Sequence, residues 1–85
     1  MVYTVDYEAA EKHNCSSKLT IDDRIFYVKL PSTSTGIAQY FSGEQDGNLQ
    51  KEISKAEFEL WLNILAENET EVEEILKKLT FGKKY

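Results

Sequence analysis

The chain has 85 residues, of which 41% are hydrophobic and 29% charged, and its formal net charge is −5. This length and composition predict a single globular domain, residues 1–85, with a small core, and they exclude a disordered or low-complexity chain. The acidic balance would repel a phosphate backbone, so we expect no direct binding to nucleic acid. We also expect no membrane span, because no window approaches the length of apolar sequence that a span needs.

The charge is distributed unevenly along the chain. Residues 1–43 hold five acidic and four basic residues, for a net charge of −1. Residues 44–74 hold ten acidic residues and two lysines, for −8, and residues 75–85 hold four lysines, for +4. The acidic central segment is therefore the most distinctive feature of the sequence.

β-structure is predicted in the N-terminal half. The β-branched and aromatic residues of 2–7 predict a strand, whereas residues 9–18 lose the pattern and are interpreted as a loop, with a helical turn as the alternative. Residues 19–30 predict a hairpin that turns at Asp22 and Asp23, because aspartate tolerates turn geometry. The second strand of this hairpin is apolar on both faces, so we predict that it lies centrally in the sheet.

The middle of the chain is predicted to hold a second hairpin. Residues 37–42 contain β-formers and predict a strand, with a short helix as the alternative. Residues 43–48 are typical of a turn. Residues 49–53 alternate weakly between apolar and polar positions, and this pattern allows them to pair back on 37–42.

Residues 54–79 predict the helical part of the fold. Ser54 followed by Glu57 is a capping box, in which each residue satisfies a backbone amide of the other. Asn68 and Thr70 are both good N-caps, so the segment is one long helix or two, and the redundant caps favour a break near Asn68. Gly82 is a suitable C-terminal stop. The apolar residues that recur at helical spacing are Phe58, Trp61, Leu62, Leu65, Val72, Ile75, Leu76 and Leu79.

Strands that precede helices imply an α+β fold, in which a small, mostly antiparallel sheet of three to four strands is covered on one face by the C-terminal helical segment. Trp61 is predicted to lie in the core. Leu60 and Ile64 form a second apolar stripe beside it, and one sheet face cannot cover so wide an arc. We therefore expect part of this helix to contact a partner protein or a second copy of the chain.

The glutamates of the central segment have two interpretations. Helix construction explains those near a helix start, where the macrodipole favours anions, and it favours Lys77 and Lys78 near the end. It explains the remaining acidic residues less well, and these indicate an acidic surface that docks on a basic partner. The residues predicted to bind a partner are Glu44, Asp46, Glu52, Glu57, Glu59, Leu60, Ile64 and Glu67.

Catalytic and cofactor chemistry has little support in the sequence. His13 and Cys15 are the only histidine and cysteine, and a Cys–His nucleophile pair usually needs a third, orienting group. One histidine with scattered carboxylates does not specify a metal site. We therefore expect no catalytic residue, no cofactor and no metal, and the single cysteine favours a reducing cytoplasm over secretion.

Together these features predict a small acidic, non-enzymatic protein-binding module. An inhibitor or regulator of a larger cytoplasmic protein fits this description, and a mimic of nucleic-acid phosphates that blocks a nucleic-acid-binding protein is a narrower form of it. The alternatives are a self-assembling homodimeric subunit and, more remotely, a cysteine-dependent enzyme. In its general look the chain resembles the short acidic accessory proteins of bacteria and their phages.

Overall fold

The computed structural model describes residues 3–31, 36–44 and 48–81, with side chains as far as residue 79. Within these residues no helix is long and apolar enough to cross a membrane. The elements of the described chain are β1 (Tyr3–Asp6), α1 (Tyr7–Glu11), β2 (Ser17–Ile21), β3 (Arg24–Lys29), β4 (Gln39–Gly43), β5 (Leu49–Ile53), α2 (Lys55–Leu65) and α3 (Glu69–Phe81).

The sheet is an antiparallel meander in the order β1-β2-β3-β4-β5. The predicted α+β fold is therefore confirmed, with five strands in place of three to four. The additional strand is β5, which lies at an edge of the sheet and has few apolar residues, so its alternation is weak. It pairs back on β4 as the second hairpin predicted.

The first hairpin also matches its prediction. Ile21 pairs with Arg24, which leaves Asp22 and Asp23 as a two-residue connection. Asp22 has a φ of 52°, a left-handed conformation that aspartate tolerates better than most residues. The middle residues of β3 are buried on both faces of the sheet, as expected for a central strand.

The prediction of a loop over residues 9–18 is wrong at both ends. Tyr7–Glu11 forms α1, where Asp6 is the N-cap and its carboxylate accepts a hydrogen bond from the Ala9 amide at 3.0 Å. Five residues make little more than one turn, too short for helical periodicity to show. At the other end, β2 already begins at Ser17. In the first predicted strand, Val2 lies outside the described residues and Tyr7 belongs to α1.

The break predicted near Asn68 is confirmed, because α2 ends at Leu65 and α3 begins at Glu69. Each helix has its own N-cap. The Ser54 hydroxyl accepts a hydrogen bond from the Glu57 amide at 3.0 Å, and the Asn68 side chain accepts one from the Glu71 amide at 2.9 Å. The predicted stop at Gly82 lies outside the described residues.

The two faces of the sheet are covered unequally. The helix-bearing face packs against α2 and α3, and Phe58 of α2 is central there, since its ring stacks on Tyr40 at 4.7 Å and meets Phe26 edge-on at 5.4 Å. The opposite face has a smaller buried cluster. Its members come from α1, the segment after it and β3, and are Ala10, Cys15, Ile25 and Tyr27, with Phe41 and Leu49 packed beside them.

Candidate functional site: the outer face of α2 and the adjoining cleft

Helix α2 carries apolar side chains on two sides. Phe58 and Leu62 are fully buried against the sheet. On the outer side Leu60 is 59% exposed and Ile64 is 61% exposed. These two residues are one helical turn apart, so their side chains are neighbours on the helix surface. The second apolar stripe predicted from the sequence therefore faces solvent.

Trp61 lies at the boundary between the two sides of α2. It packs against the core but is only half-buried, so its assignment to the core is right in part. The Arg24 guanidinium lies 4.1 Å from the centroid of its ring, within the range of a cation–π contact. Trp61 also continues the exposed stripe, because Glu57, Leu60, Trp61 and Ile64 follow the i, i+3, i+4, i+7 spacing of one helix side.

A cleft of about 540 Å³ opens beside Trp61, between α2 and one end of the sheet. Its lining includes Arg24 of β3, Ser42 of β4 and Lys51 of β5, and Glu57 and Trp61 of α2. The strand residues lie on the helix-bearing face, because each is two residues along its strand from a residue that packs in the core of that face: Arg24 from Phe26, Ser42 from Tyr40 and Lys51 from Ile53. The cleft is therefore a part of this face that the helices leave open.

The path of the helices explains why the cleft is open. Helix α2 starts directly after β5, and its Phe58 packs over β3 and β4. Helix α3 lies on the same face but toward the β1 edge, where Glu74 accepts a hydrogen bond from Tyr3 and the Lys78 carbonyl accepts one from the Tyr7 hydroxyl at 3.1 Å. The start of β5 consequently remains uncovered, and Gln50 and Lys51 are exposed.

The charges in the cleft balance. Arg24 and Lys51 contribute two positive charges, and Asp23 and Glu57 contribute two negative ones. The Ser42 hydroxyl donates to the Gln50 side-chain oxygen at 3.1 Å, so polar groups also line the cleft. A side chain entering this space would meet donors, acceptors and an indole, a mixture that suits a protein segment better than a strongly charged small ligand.

The structure brings together half of the predicted partner-binding residues. Glu57, Glu59, Leu60 and Ile64 all belong to α2, where Glu57 is exposed and Glu59 half-exposed. Glu67 follows in the connection to α3 and is exposed. A hydrogen bond and a nearby positive charge lower the pKa of the Glu67 carboxyl.

Two of the remaining predicted residues do not join this group. Glu52 pairs across the strands with Phe41, so it lies on the opposite face, and its carboxylate accepts a hydrogen bond from Gln39 at 3.3 Å. Glu44 is exposed at the end of β4, directly after a residue that lines the cleft. Asp46 lies outside the described residues.

Part of the acidic sequence in α3 serves the fold. The Tyr3 hydroxyl donates a hydrogen bond to Glu74, whose carboxylate also lies 3.9 Å from the Lys78 ammonium. The hydrogen bond to Glu74 raises the pKa of Tyr3. Glu71 accepts a hydrogen bond from the Glu67 amide at 2.8 Å. Contacts within the chain therefore engage Glu71 and Glu74, and one of them, the Glu74–Lys78 pair, is an i, i+4 pair of the kind that the helix interpretation predicts.

Cys15 and His13 lie near each other, but the thiol is poorly placed for nucleophilic chemistry. Cys15 is 6% exposed, and its Sγ donates to the main-chain carbonyl of His13 at 3.5 Å. The His13 ring packs edge-on against Tyr27, with 5.0 Å between centroids. Burial raises the pKa of the Cys15 thiol, which disfavours the thiolate at neutral pH. Within the described residues, no three His, Cys, Asp or Glu side chains are grouped to hold a metal ion.

Sequence reasoning missed Arg24 and Lys51 as components of the site. No local pattern identifies them, because they reach Trp61 and the cleft only through the strand order and the position of α2. No protein family model, curated protein or solved structure matches this chain.

Proposed function

We propose that this protein is a non-enzymatic protein-binding module that docks through the outer face of α2 and the adjoining cleft. The observation that carries the proposal is the exposure of Leu60 and Ile64 side by side on a regular helix. Full burial of such a side chain is favourable by about 1.5–3 kcal/mol relative to full exposure. Leu60 and Ile64 are 59% and 61% exposed, so a partner that covers both would gain a part of this amount from each.

The neighbours of this pair support the proposal. Single exposed apolar residues are common on protein surfaces and need no explanation. Here the pair adjoins Trp61, and Arg24 stacks on the indole. Tryptophan and arginine are the residue types most enriched among those that dominate binding energy, especially beside pockets that exclude water.

The compartment and the kind of target are also part of the proposal. We propose that the protein acts in a reducing cytoplasm, where its one cysteine stays a free, buried thiol, and that it regulates or inhibits a larger protein there. Inhibition of a nucleic-acid-binding protein is the narrower form, because the acidic helices could occupy a surface that otherwise binds phosphates. We propose that the protein is of the same type as the short acidic accessory proteins of bacteria and phages.

A homodimer that closes through the same face of α2 is the second candidate. A copy of the chain could cover Leu60 and Ile64, but it would bring the same carboxylates with it. Residues 55–67 contain three glutamates and one lysine, so two copies would bring six carboxylates against two ammonium groups. This repulsion disfavours the dimer relative to a different partner. The cysteine-dependent enzyme is disfavoured by the raised pKa and burial of Cys15.

Photo-cross-linking in the producing cells tests the proposal. A photoreactive residue replaces Ile64 in one variant and Lys12, which is exposed in the segment after α1, in the control variant. We expect a specific adduct with another protein from position 64 that position 12 does not give. Excess wild-type protein should suppress that adduct, whereas excess Leu60→Lys/Ile64→Lys protein should not.

Two outcomes would overturn the proposal. Equal adducts from both positions, or none from position 64, would show that the outer face of α2 is not a docking surface. An adduct only with a second copy of the chain would favour the homodimer. Sedimentation at micromolar concentration decides that case, because the monomer has a mass of 9.8 kDa and the dimer twice that mass.

A further inference from the structure

We propose further that the partner presents a cationic surface with an apolar centre, in which lysine or arginine side chains contact Glu57 and Glu59 while apolar side chains cover Leu60 and Ile64. This inference rests on the proposed function and specifies the chemistry of the partner at the same site. It follows from the state of the carboxylates around the exposed pair.

Glu57 and Glu59 differ from the acidic residues that serve the fold. Glu57 precedes Leu60 by one turn, and Glu59 is its neighbour in sequence. Within the described part of the chain, neither carboxylate has a hydrogen bond or ion pair. The hydrogen bonds of these two residues involve main-chain atoms: the Glu57 amide donates to the Ser54 hydroxyl, and the Glu59 carbonyl accepts from the Asn63 side chain. Glu74, by contrast, is held by Tyr3 and lies beside Lys78.

The helical segment as a whole is negative. Residues 55–79 contain seven glutamates and three lysines, for a net charge of −4. These glutamates are all exposed or half-exposed, so this charge lies on the helical side of the molecule. An anionic partner would be repelled as it approached this side, whereas a cationic one would be attracted to it.

The apolar pair distinguishes this surface from a merely acidic one. A purely electrostatic partner would gain nothing from Leu60 and Ile64, and a purely apolar partner would have to desolvate the adjacent carboxylates without compensation. Only a surface that offers both cations and apolar groups satisfies both features of α2. An amphipathic basic segment is the simplest protein element with that character.

Two short amphipathic peptides provide the probe, one of leucine and lysine and the other of leucine and glutamate in the same pattern. Binding to the isotope-labelled protein is followed by amide chemical-shift changes. We expect the lysine peptide to shift the amides around Leu60 and Ile64 and the glutamate peptide to leave them unchanged. Binding of the lysine peptide should weaken as salt is raised from about 50 mM to about 500 mM.

Two charge variants sharpen the test. Glu57→Gln/Glu59→Gln should weaken binding of the lysine peptide about five-fold at low salt, because each charged contact at an interface rim contributes modestly. Glu69→Gln/Glu73→Gln changes the net charge equally on α3 and should have no such effect.

The inference is wrong if the glutamate peptide binds as well as the lysine peptide, or if the two charge variants weaken binding equally. It is also wrong if the lysine peptide shifts only amides of α3 or none at all. These results would leave the proposed function standing, because the cross-link at position 64 does not depend on the charge of the partner. Loss of that cross-link would instead remove the proposed function.

Discussion

Helices α2 and α3 lie on the same face of the sheet and are built by the same local rules, but their outer sides differ. Each begins at a side-chain N-cap and buries an apolar stripe, Phe58 and Leu62 in α2 and Ile75 and Leu79 in α3. The outer side of α3 is charged, and some of its charges are tied to β1. The outer side of α2 exposes Leu60 and Ile64.

This difference shows which features the fold requires. Helix α3 demonstrates that a helix on this sheet can be completed with charged residues outside and a single apolar stripe inside. The second stripe of α2 is therefore not needed to cover the sheet. Since an exposed leucine or isoleucine adds little to the stability of the free protein, the surplus is most simply explained by a contact outside the chain.

The largest effect that separates the two sides of α2 comes from truncation. Phe58→Ala should lower the free energy of unfolding by about 3–5 kcal/mol, because it leaves a cavity between Tyr40 and Phe26. Leu60→Ala should change it by no more than about 0.5 kcal/mol. Urea unfolding measures both. A loss above about 1.5 kcal/mol for Leu60→Ala would mean that the outer stripe belongs to the core after all.

A second substitution disturbs the sheet that both helices share. A Cβ at Gly43 would lie 2.7 Å from the Ile25 Cγ2 atom and 2.8 Å from the Tyr27 Cε1 atom, on the face opposite the helices. Gly43→Ala should therefore destabilise the protein by about 1–3 kcal/mol through overpacking. Thermal unfolding followed by circular dichroism measures this loss. An unchanged melting temperature would show that the two side chains move aside without cost.

The N-caps test how far the two helices are alike. Ser54→Ala and Asn68→Ala should each cost about 1 kcal/mol, because each removes the acceptor of an otherwise unsatisfied amide at a helix start. Urea unfolding of the two variants gives the comparison directly. If one cap proved neutral while the other cost the expected amount, the two helices would not be stabilised in the same way.

The smallest effect concerns the side-chain hydrogen bond between β1 and α3. Tyr3→Phe removes the hydrogen bond to Glu74 and should cost up to about 1 kcal/mol at neutral pH, since the pair is largely exposed. The pKa of Tyr3 is raised in the folded protein from an ordinary value of 10.0. The folded state therefore holds this proton more tightly than the unfolded state.

The sign of the pH dependence follows from that shift. The contribution of Tyr3 to stability is fully present below its ordinary pKa and is lost as the pH rises through the raised pKa of the folded state. Urea unfolding across the alkaline range should consequently show a smaller decline for Tyr3→Phe than for the wild type. Parallel declines for the two proteins would contradict the role given to the hydroxyl.

Much of the fold was predictable because local patterns specify it. The spacing of Phe58, Leu62 and Ile75, the cap at Asn68 and the aspartates of the first turn each depend on a few consecutive residues. A helical turn was only the alternative to a loop in the region of α1, because a helix of five residues has no period to detect. Similarly, β5 has few apolar residues because it is an edge strand, so the sequence allowed its hairpin with β4 but did not require a fifth strand.

The faces of β5 and the cleft could not be predicted locally. In a regular strand Leu49 and Ile53 would share a face, but the register irregularity opposite Ser42 and Gly43 places them in clusters on opposite faces. Glu52 is next to Ile53 in the strand, so its side chain lies on the face opposite α2. Arg24 reaches Trp61 only because β3 and α2 meet in space. Half of the candidate site, the part on α2, was therefore foreseen, and the part contributed by the sheet was not.

The most direct test of the central claim uses the partner protein that the cross-link at position 64 identifies. Calorimetry measures the affinity of this partner for a variant of α2 and for a matched control variant. Leu60→Lys/Ile64→Lys adds two positive charges on the outer face of α2. Thr4→Lys/Glu8→Gln changes the net charge by the same +2, with one positive charge added and one negative charge removed at exposed positions of β1 and α1. With both variants folded, we predict an affinity about 100-fold lower for the α2 variant and an unchanged affinity for the control. Equal affinities for the two variants would contradict the claim that the outer face of α2 binds the partner.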